Sequence, residues 1–218
     1  MNLMGGGEML ELLIDAFISE RRDGQGRSYD KFRCSSAGRC RLMRYWQRQG
    51  RSVSDVPDER ARRVFEVGHM FHEWVQDILD RRQLLIEREK EVEDLHRIGH
   101  IDAIVREGGR IILYDFKTVH SRKFTYLKEG ADIHYQYQIT SYALMLPYDV
   151  DEARIAYISK DDLRIREIPV DYEGIAPAVT DDWNILINAW EKQVAPEPNP
   201  KEWECKYCAY GSSCEHSL

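Results

Sequence analysis

The apolar positions follow two rhythms that succeed one another along the chain. Between Glu8 and Arg22, residues Met9, Leu10, Leu12, Leu13, Ala16 and Phe17 mark one face of a helix, and Asp23-Gly24-Gln25-Gly26 ends it. A second helix is predicted from about Arg39 to Gln49. Pro57-Asp58-Glu59 opens a third, because proline suits the first turn and acids there complement the helix dipole; Val64, Val67, Phe71, Trp74, Val75 and Ile78 carry it to about Arg82. The period then falls to two. Leu84 to Val92, Ile98 to Val105 and Arg110 to Lys117 read as strands, with Gly108-Gly109 as the tight turn of a hairpin. Helical spacing returns from Ile133 to Leu146 and stops at Pro147. Ala153 to Ser159 and Arg164 to Val170 form a second strand pair, and Ile175 to Val194 a last helix. Ala195-Pro196-Glu197-Pro198-Asn199-Pro200 is a stiff linker into a cysteine-rich tail.

The order α-β-β-β-α-β predicts an α/β core with a mixed central sheet flanked by helices. At 218 residues this is a single domain: an N-terminal helical part (1–56), the core (57–170), and a C-terminal helix with its cysteine knuckle (171–218). The Gly5-Gly6-Gly7 stretch is read as a flexible leader.

A net charge of -7 excludes a generally basic, sequence-blind nucleic-acid coat. The distribution changes the picture: Lys31, Arg33, Arg39, Arg41, Arg44, Arg48 and Arg51 fall in a stretch without any acid, a candidate phosphate-facing stripe or else a solvated helix face. Tyr45 and Trp46 lie inside it and could support a strand of bases. No run approaches the roughly 20 apolar residues that span a bilayer, and no secretory leader is evident, so a cytoplasmic protein without membrane partners is expected. Five cysteines, three of them in Cys205-x2-Cys208-x5-Cys214, suit metal ligation better than a disulfide framework.

If Gly108 and Gly109 are the turn, hairpin partners sum to 217, which sets Asp102 opposite Asp115. Opposed carboxylates repel unless a cation stands between them, and oxygen ligands at that density suit Mg2+ or Mn2+. Such an ion can clamp a phosphodiester and activate water. Lys117 returns to the same face two residues on and is placed to orient or activate that water. The opposite face is expected to pair Ile101 with Phe116, Ala103 with Tyr114 and Val105 with Ile112. His72, in Gly68-His69-Met70-Phe71-His72-Glu73, could add an imidazole ligand, with His69 and His100 as competitors; Gln138 and Tyr142 share one helix face.

These residues resemble the RecB-like branch of the PD-(D/E)XK nucleases, particularly the CRISPR-associated exonuclease of the Cas-four type. Gly68-x3-His72, Gly99-His100-Ile101-Asp102, Asp115-Phe116-Lys117 and Gln138-x3-Tyr142 stand in the family's order, and one cysteine upstream with three downstream matches its cluster arrangement. The resemblance implies a restriction-endonuclease-like fold and exonuclease action on single-stranded DNA or single-stranded ends, in CRISPR adaptation or in DNA repair and recombination, beside adaptation proteins or a helicase. It implies that His72, Asp102 and Asp115 bind Mg2+ or Mn2+, that Lys117 serves the nucleophile, and that Gln138 and Tyr142 position DNA or Lys117. It also implies an iron-sulfur cluster, four-iron rather than two-iron, on Cys40, Cys205, Cys208 and Cys214. Cys40 is preferred to Cys34 because Cys40-Arg41-Leu42-Met43-Arg44-Tyr45-Trp46 resembles the family's first-cysteine helix, and because a thiolate at a helix start is favoured by the dipole and by the neighbouring arginines. The DNA path is assigned to Arg39, Arg41, Arg44, Arg48 and Tyr45. The alternative is a non-catalytic nucleic-acid-binding subunit in which Cys205, Cys208, Cys214 and His216 close on zinc.

Overall fold

The computed structural model describes residues 9–23, 30–127 and 130–217, so the Gly5–Gly7 leader and the Gly24–Gly26 stop lie outside the described residues. In chain order the elements are α1 (Met9–Asp23), β1 (Phe32–Arg33), α2 (Arg41–Arg48), α3 (Glu59–Arg81), β2 (Leu85–Glu93), β3 (Arg97–Glu107), β4 (Arg110–Val119), α4 (Ser121–Tyr126), α5 (Ile133–Ala143), β5 (Glu152–Ser159), β6 (Ile165–Val170) and α6 (Tyr172–Glu191). The predicted core order is present. The two-residue β1 and the short α4 are additions too brief for any periodicity to announce. At the start of α3 the cap is Asp58, whose carboxylate accepts from the Ala61 N–H at 2.7 Å, so Pro57 stands just before the cap.

One mixed sheet runs β1-β3-β4-β5-β6, with β2 on the outer edge of β3. The β3–β4 hairpin keeps the expected register, from Glu107 opposite Arg110 to Ala103 opposite Tyr114, and there the ladder stops. Beyond that point Ile98 pairs with Glu93 on one side and with Arg33 of β1 on the other, so β1 takes the place that β4 has vacated. The sheet therefore opens into a fork between β3 and β4 at Asp102.

Two apolar layers cover the sheet. The larger joins Ile101, Ile104, Leu113, Ile155 and Tyr157 to Ile139 and Tyr142 of α5 and Trp183 of α6; the smaller joins Ala103, Val105, Ile112, Tyr114 and Phe116 to Val75 and Leu79 of α3. Residues two apart on a regular strand share a face, yet Ile101 and Ala103 lie in different layers. The predicted inner face thus holds for five of its six members and loses Ile101, because the alternation shifts at Asp102. Part of the α3 stripe also departs from expectation: Val64, Trp74 and Ile78 remain exposed, as do Met9, Leu10 and Leu13 of the adjoining α1. No helix among the described residues is long and apolar enough to cross a membrane.

Candidate active site and cysteine cavity

The fork assembles the predicted acids and lysine, though not as a simple facing pair. Asp102 Oδ2 accepts from the Phe116 N–H at 2.6 Å, so its side chain supplies the bond that a neighbouring strand would otherwise make, while Gln76 Nε2 donates to the Asp102 carbonyl at 2.8 Å. Its other oxygen lies 3.5 Å from His72 Nδ1, on the α3 side. Asp115 is fully buried and turned to α5, where Gln138 Nε2 donates to its Oδ1 at 2.9 Å. Lys117 Nζ stands 2.7 Å from Asp115 Oδ2. Among the described residues no other donor reaches that oxygen. The expected direct opposition of Asp102 and Asp115 is thus corrected: the register constant is right, and the fork divides the two carboxylates between the helices on either side.

Their titration is divided as well. Burial drives the Asp115 carboxyl up to about 6; the Lys117 ammonium opposes this and the Asp102 charge adds to it. Burial also acts on Asp102, but the hydrogen bond and charge of His72, with Lys117 behind them, hold that group below the ordinary carboxylate range. His72 and Lys117 are both raised, because the two acids outweigh their desolvation. Asp102 and Asp115 offer hard oxygen donors, and the nearly orphaned Asp115 Oδ2 faces the cation-lined fork. By donor chemistry this set suits a divalent metal with His72 at its side, although among the described residues no three such groups already stand at metal-ligand spacing. The competitors are excluded by placement: His69 is exposed on α3, and His100 points outward to Glu91.

Gln138 and Tyr142 are both buried and lie on the Asp115 side of the fork. Gln138 Nε2 donates to Tyr142 Oη as well as to Asp115, each at 2.9 Å, and Tyr142 is 2% exposed. Their hydrogen bonds lead to Asp115 and not to Lys117. Sequence reasoning passed over Gln76 and Tyr135. Tyr135 puts its ring 4.7 Å from Lys117 Nζ, and its spacing of three before Gln138 was the available signal.

The arginine block requires the larger correction. Arg44 is 1% exposed, bonds Asp182 Oδ2 at 2.5 Å, and lies 4.0 Å over the Trp183 ring. Arg48 is buried over Phe32 and Trp190, and Tyr45 is buried edge-on against Trp190. These three are packing residues and present nothing to a phosphate. Arg41 bonds Asp182 at 2.8 Å and stays partly open; Arg39 lies over Trp203 at the rim of the cavity described next.

Cys40, Cys205, Cys208 and Cys214 line one cavity of about 320 Å³. The chain ends are fastened around it. The first N–H groups of α2, which no helical carbonyl can satisfy, are met from far along the chain: Cys40 N–H donates to Glu204 Oε2 at 3.2 Å and Arg41 N–H to Asn199 Oδ1 at 2.7 Å. Ser212 N–H donates to Asp55, and Tyr210 packs on Trp46. No three His, Cys, Asp or Glu among the described residues are already set at metal-ligand spacing. The thiols nevertheless sense one another. Burial, and then the negative charge that Cys40, Cys214 and Cys205 would carry, hold the Cys208 thiol up. Cys34 is elsewhere: it is fully buried beside Met145 Sδ at 3.5 Å, and burial pushes its thiol up to about 12.

No curated protein matches the chain. Among solved structures, the crystal structure of SSO0001 is similar with a TM-score of 0.64 at 18% identity, over 97% of this chain and 98% of that one. The alkaline exonuclease LHK-Exo from Laribacter hongkongensis is similar with a TM-score of 0.53 at 9% identity, over 76% of this chain and 90% of that one. At these identities the likeness is one of fold. The sequence match is more specific, since a family model covers residues 86–215, more than half of the chain, and takes in Asp102, Asp115, Lys117, Gln138 and Tyr142. The chain belongs to the PD-(D/E)XK nuclease superfamily.

Proposed function

We propose that the chain is a Mg2+- or Mn2+-dependent DNA exonuclease acting on single-stranded DNA or single-stranded ends, with an iron-sulfur cluster that fastens its two termini. The observation that carries the reading is the fork, where Asp102, Asp115 and Lys117 converge and one oxygen of a fully buried carboxylate has only an ammonium for company. Asp102, Asp115 and His72 would hold the divalent ion. When bound there, the ion supplies Lewis-acid stabilisation of phosphate charge and an acidified water. Lys117 orients the water or the phosphate by donating hydrogen bonds. Gln138 fixes the rotation of Asp115, and Tyr142 fixes Gln138. With Arg44, Arg48 and Tyr45 turned inward, Arg39 and Arg41 are the members of the assigned DNA path left to approach DNA.

Cys40, Cys205, Cys208 and Cys214 would hold the cluster, four-iron rather than two-iron, in a structural role. The support is their common cavity and the two ends of the chain that meet around it. Service in CRISPR adaptation or in repair and recombination, beside adaptation proteins or a helicase, rests on the motif order. One observation favours a second reading: His216 lines the same cavity, so three cysteines and His216 could close on zinc in a non-catalytic nucleic-acid-binding subunit.

The deciding assay follows end-labelled single-stranded and duplex DNA with and without Mg2+ or Mn2+. Metal-dependent trimming of single-stranded ends that disappears in Asp102→Ala, Asp115→Ala and Lys117→Ala is expected; undiminished cutting by Asp115→Ala overturns the reading. Anaerobic purification settles the cavity, since an iron-sulfur protein is brown and a zinc protein is colourless.

A further inference from the structure

We propose that Tyr135 is a positioning residue that holds the Lys117 ammonium in the fork, a step that rests on the nuclease reading. Tyr135 precedes Gln138 by three residues and Tyr142 by seven, so the three share the face of α5 that covers β4. The Tyr135 ring centroid lies 4.7 Å from Lys117 Nζ, whose other near neighbour is Asp115 Oδ2 at 2.7 Å. The ring is itself fixed by packing: it meets Tyr157 edge-on at 6.3 Å, and Tyr157 is the fully buried partner of Lys117 in the parallel β4–β5 ladder.

A lysine ammonium is a point charge on a flexible four-carbon stem, and one carboxylate restrains it from one side only. The negative face of the ring supplies the second restraint. Between them the ammonium is left with its remaining freedom toward the mouth of the fork, where its side chain is 16% exposed. The contribution lies in the ring, so the hydroxyl is dispensable.

The test compares Tyr135→Phe with Tyr135→Leu, and with Tyr135→Met should the leucine variant fold poorly. Steady-state cleavage of single-stranded DNA should give a kcat within twofold of the parent for Tyr135→Phe. It should fall about tenfold for Tyr135→Leu, the range of a desolvated cation–π contact, with KM little changed. A second measurement reads the contact itself. Lysines are reductively methylated with 13C, and the Lys117 signal is identified by its loss in Lys117→Arg. That signal should be ring-shifted in the parent and Tyr135→Phe, and should move to the ordinary lysine position in Tyr135→Leu and Tyr135→Met. An unshifted signal in the parent, or a kcat for the ring-less variants equal to the parent's, overturns the proposal. Equal losses in Tyr135→Phe and Tyr135→Leu would assign the effect to the hydroxyl and also overturn it. A parent that cuts no DNA sinks the nuclease reading alone, and the methyl signal then decides whether the ring holds the ammonium.

Discussion

Gly99→Ala is the smallest change that should disable the fork, and its effect can be worked from contact distances. A β-carbon at Gly99 would lie 2.4 Å from Tyr142 Cε1, 3.1 Å from Cδ1 and 3.0 Å from Cys34 Cβ. Unstrained carbon contacts lie at about 3.5–4.0 Å, so the closest overlap is about 1 Å. Neither neighbour has room to withdraw: Cys34 is 0% and Tyr142 2% exposed, and the Tyr142 hydroxyl is tied to Gln138. The cost belongs at the upper end of the overpacking range, about 3 kcal/mol. Function should suffer beyond stability, because a displaced Tyr142 releases Gln138, and Gln138 fixes Asp115. Urea unfolding gives the stability, and cleavage well below the unfolding transition gives the activity. Shortening the obstructing ring should relieve the clash, so Gly99→Ala and Tyr142→Leu should combine with a cost at least about 1 kcal/mol below their sum. A Gly99→Ala protein within about 0.5 kcal/mol of the parent, or strictly additive costs, would refute this account of the glycine.

Three further outcomes are expected. Asp182→Ala strands the Arg44 guanidinium, whose side chain is 0% exposed, and should cost about 3–5 kcal/mol in denaturant unfolding; a loss under about 1 kcal/mol would show that Trp183 stacking suffices. Burial first, then Arg39 and Lys201, hold the His134 imidazole down to about 4. The unfolded chain therefore binds a proton that the folded chain refuses between pH about 6.5 and about 4, so the contribution of His134 to stability should fall by about 1–2 kcal/mol after solvent screening as pH drops through that window; because the raised Asp115 carboxyl slopes the other way there, it is read as the difference between the parent and His134→Phe across the window, and a constant difference would refute it. Anaerobically purified Cys40→Ser should lose visible absorbance and much of its thermal stability while Cys34→Ser keeps both, and the reverse pattern would exchange their roles.

The sequence was most legible where the determinants are local. Gly108 and Gly109 fix a two-residue turn, and everything up to Ala103 and Tyr114 follows by counting. Counting fails at Asp102, because β1, from 65 or so residues earlier, takes the edge of β3 beyond the fork, and no pattern within the hairpin announces it. The arginine block misled for the same reason. Arg41, Arg44 and Arg48 are matched by Asp182, Trp183 and Trp190, all on α6, so their placement depends on contacts that a local reading cannot see. The motif glycine at 99 was legible as a signature, but its cause, the close passage of Tyr142, is tertiary.

The pairing of Arg44 with Asp182, 138 residues apart, also sets a timetable for synthesis. A nascent chain that has completed α2, the hairpin and even β6 still lacks the counter-charge for Arg44 and the ring beneath it, and burying that guanidinium alone would be strongly opposed. Stable docking of α2 is therefore expected only once α6 has been made. Phe32 of β1 packs on Trp183 and Trp190 of the same helix, so a translation product that stops short of α6 should carry every fork residue and yet hold the strand edge beside the fork less firmly.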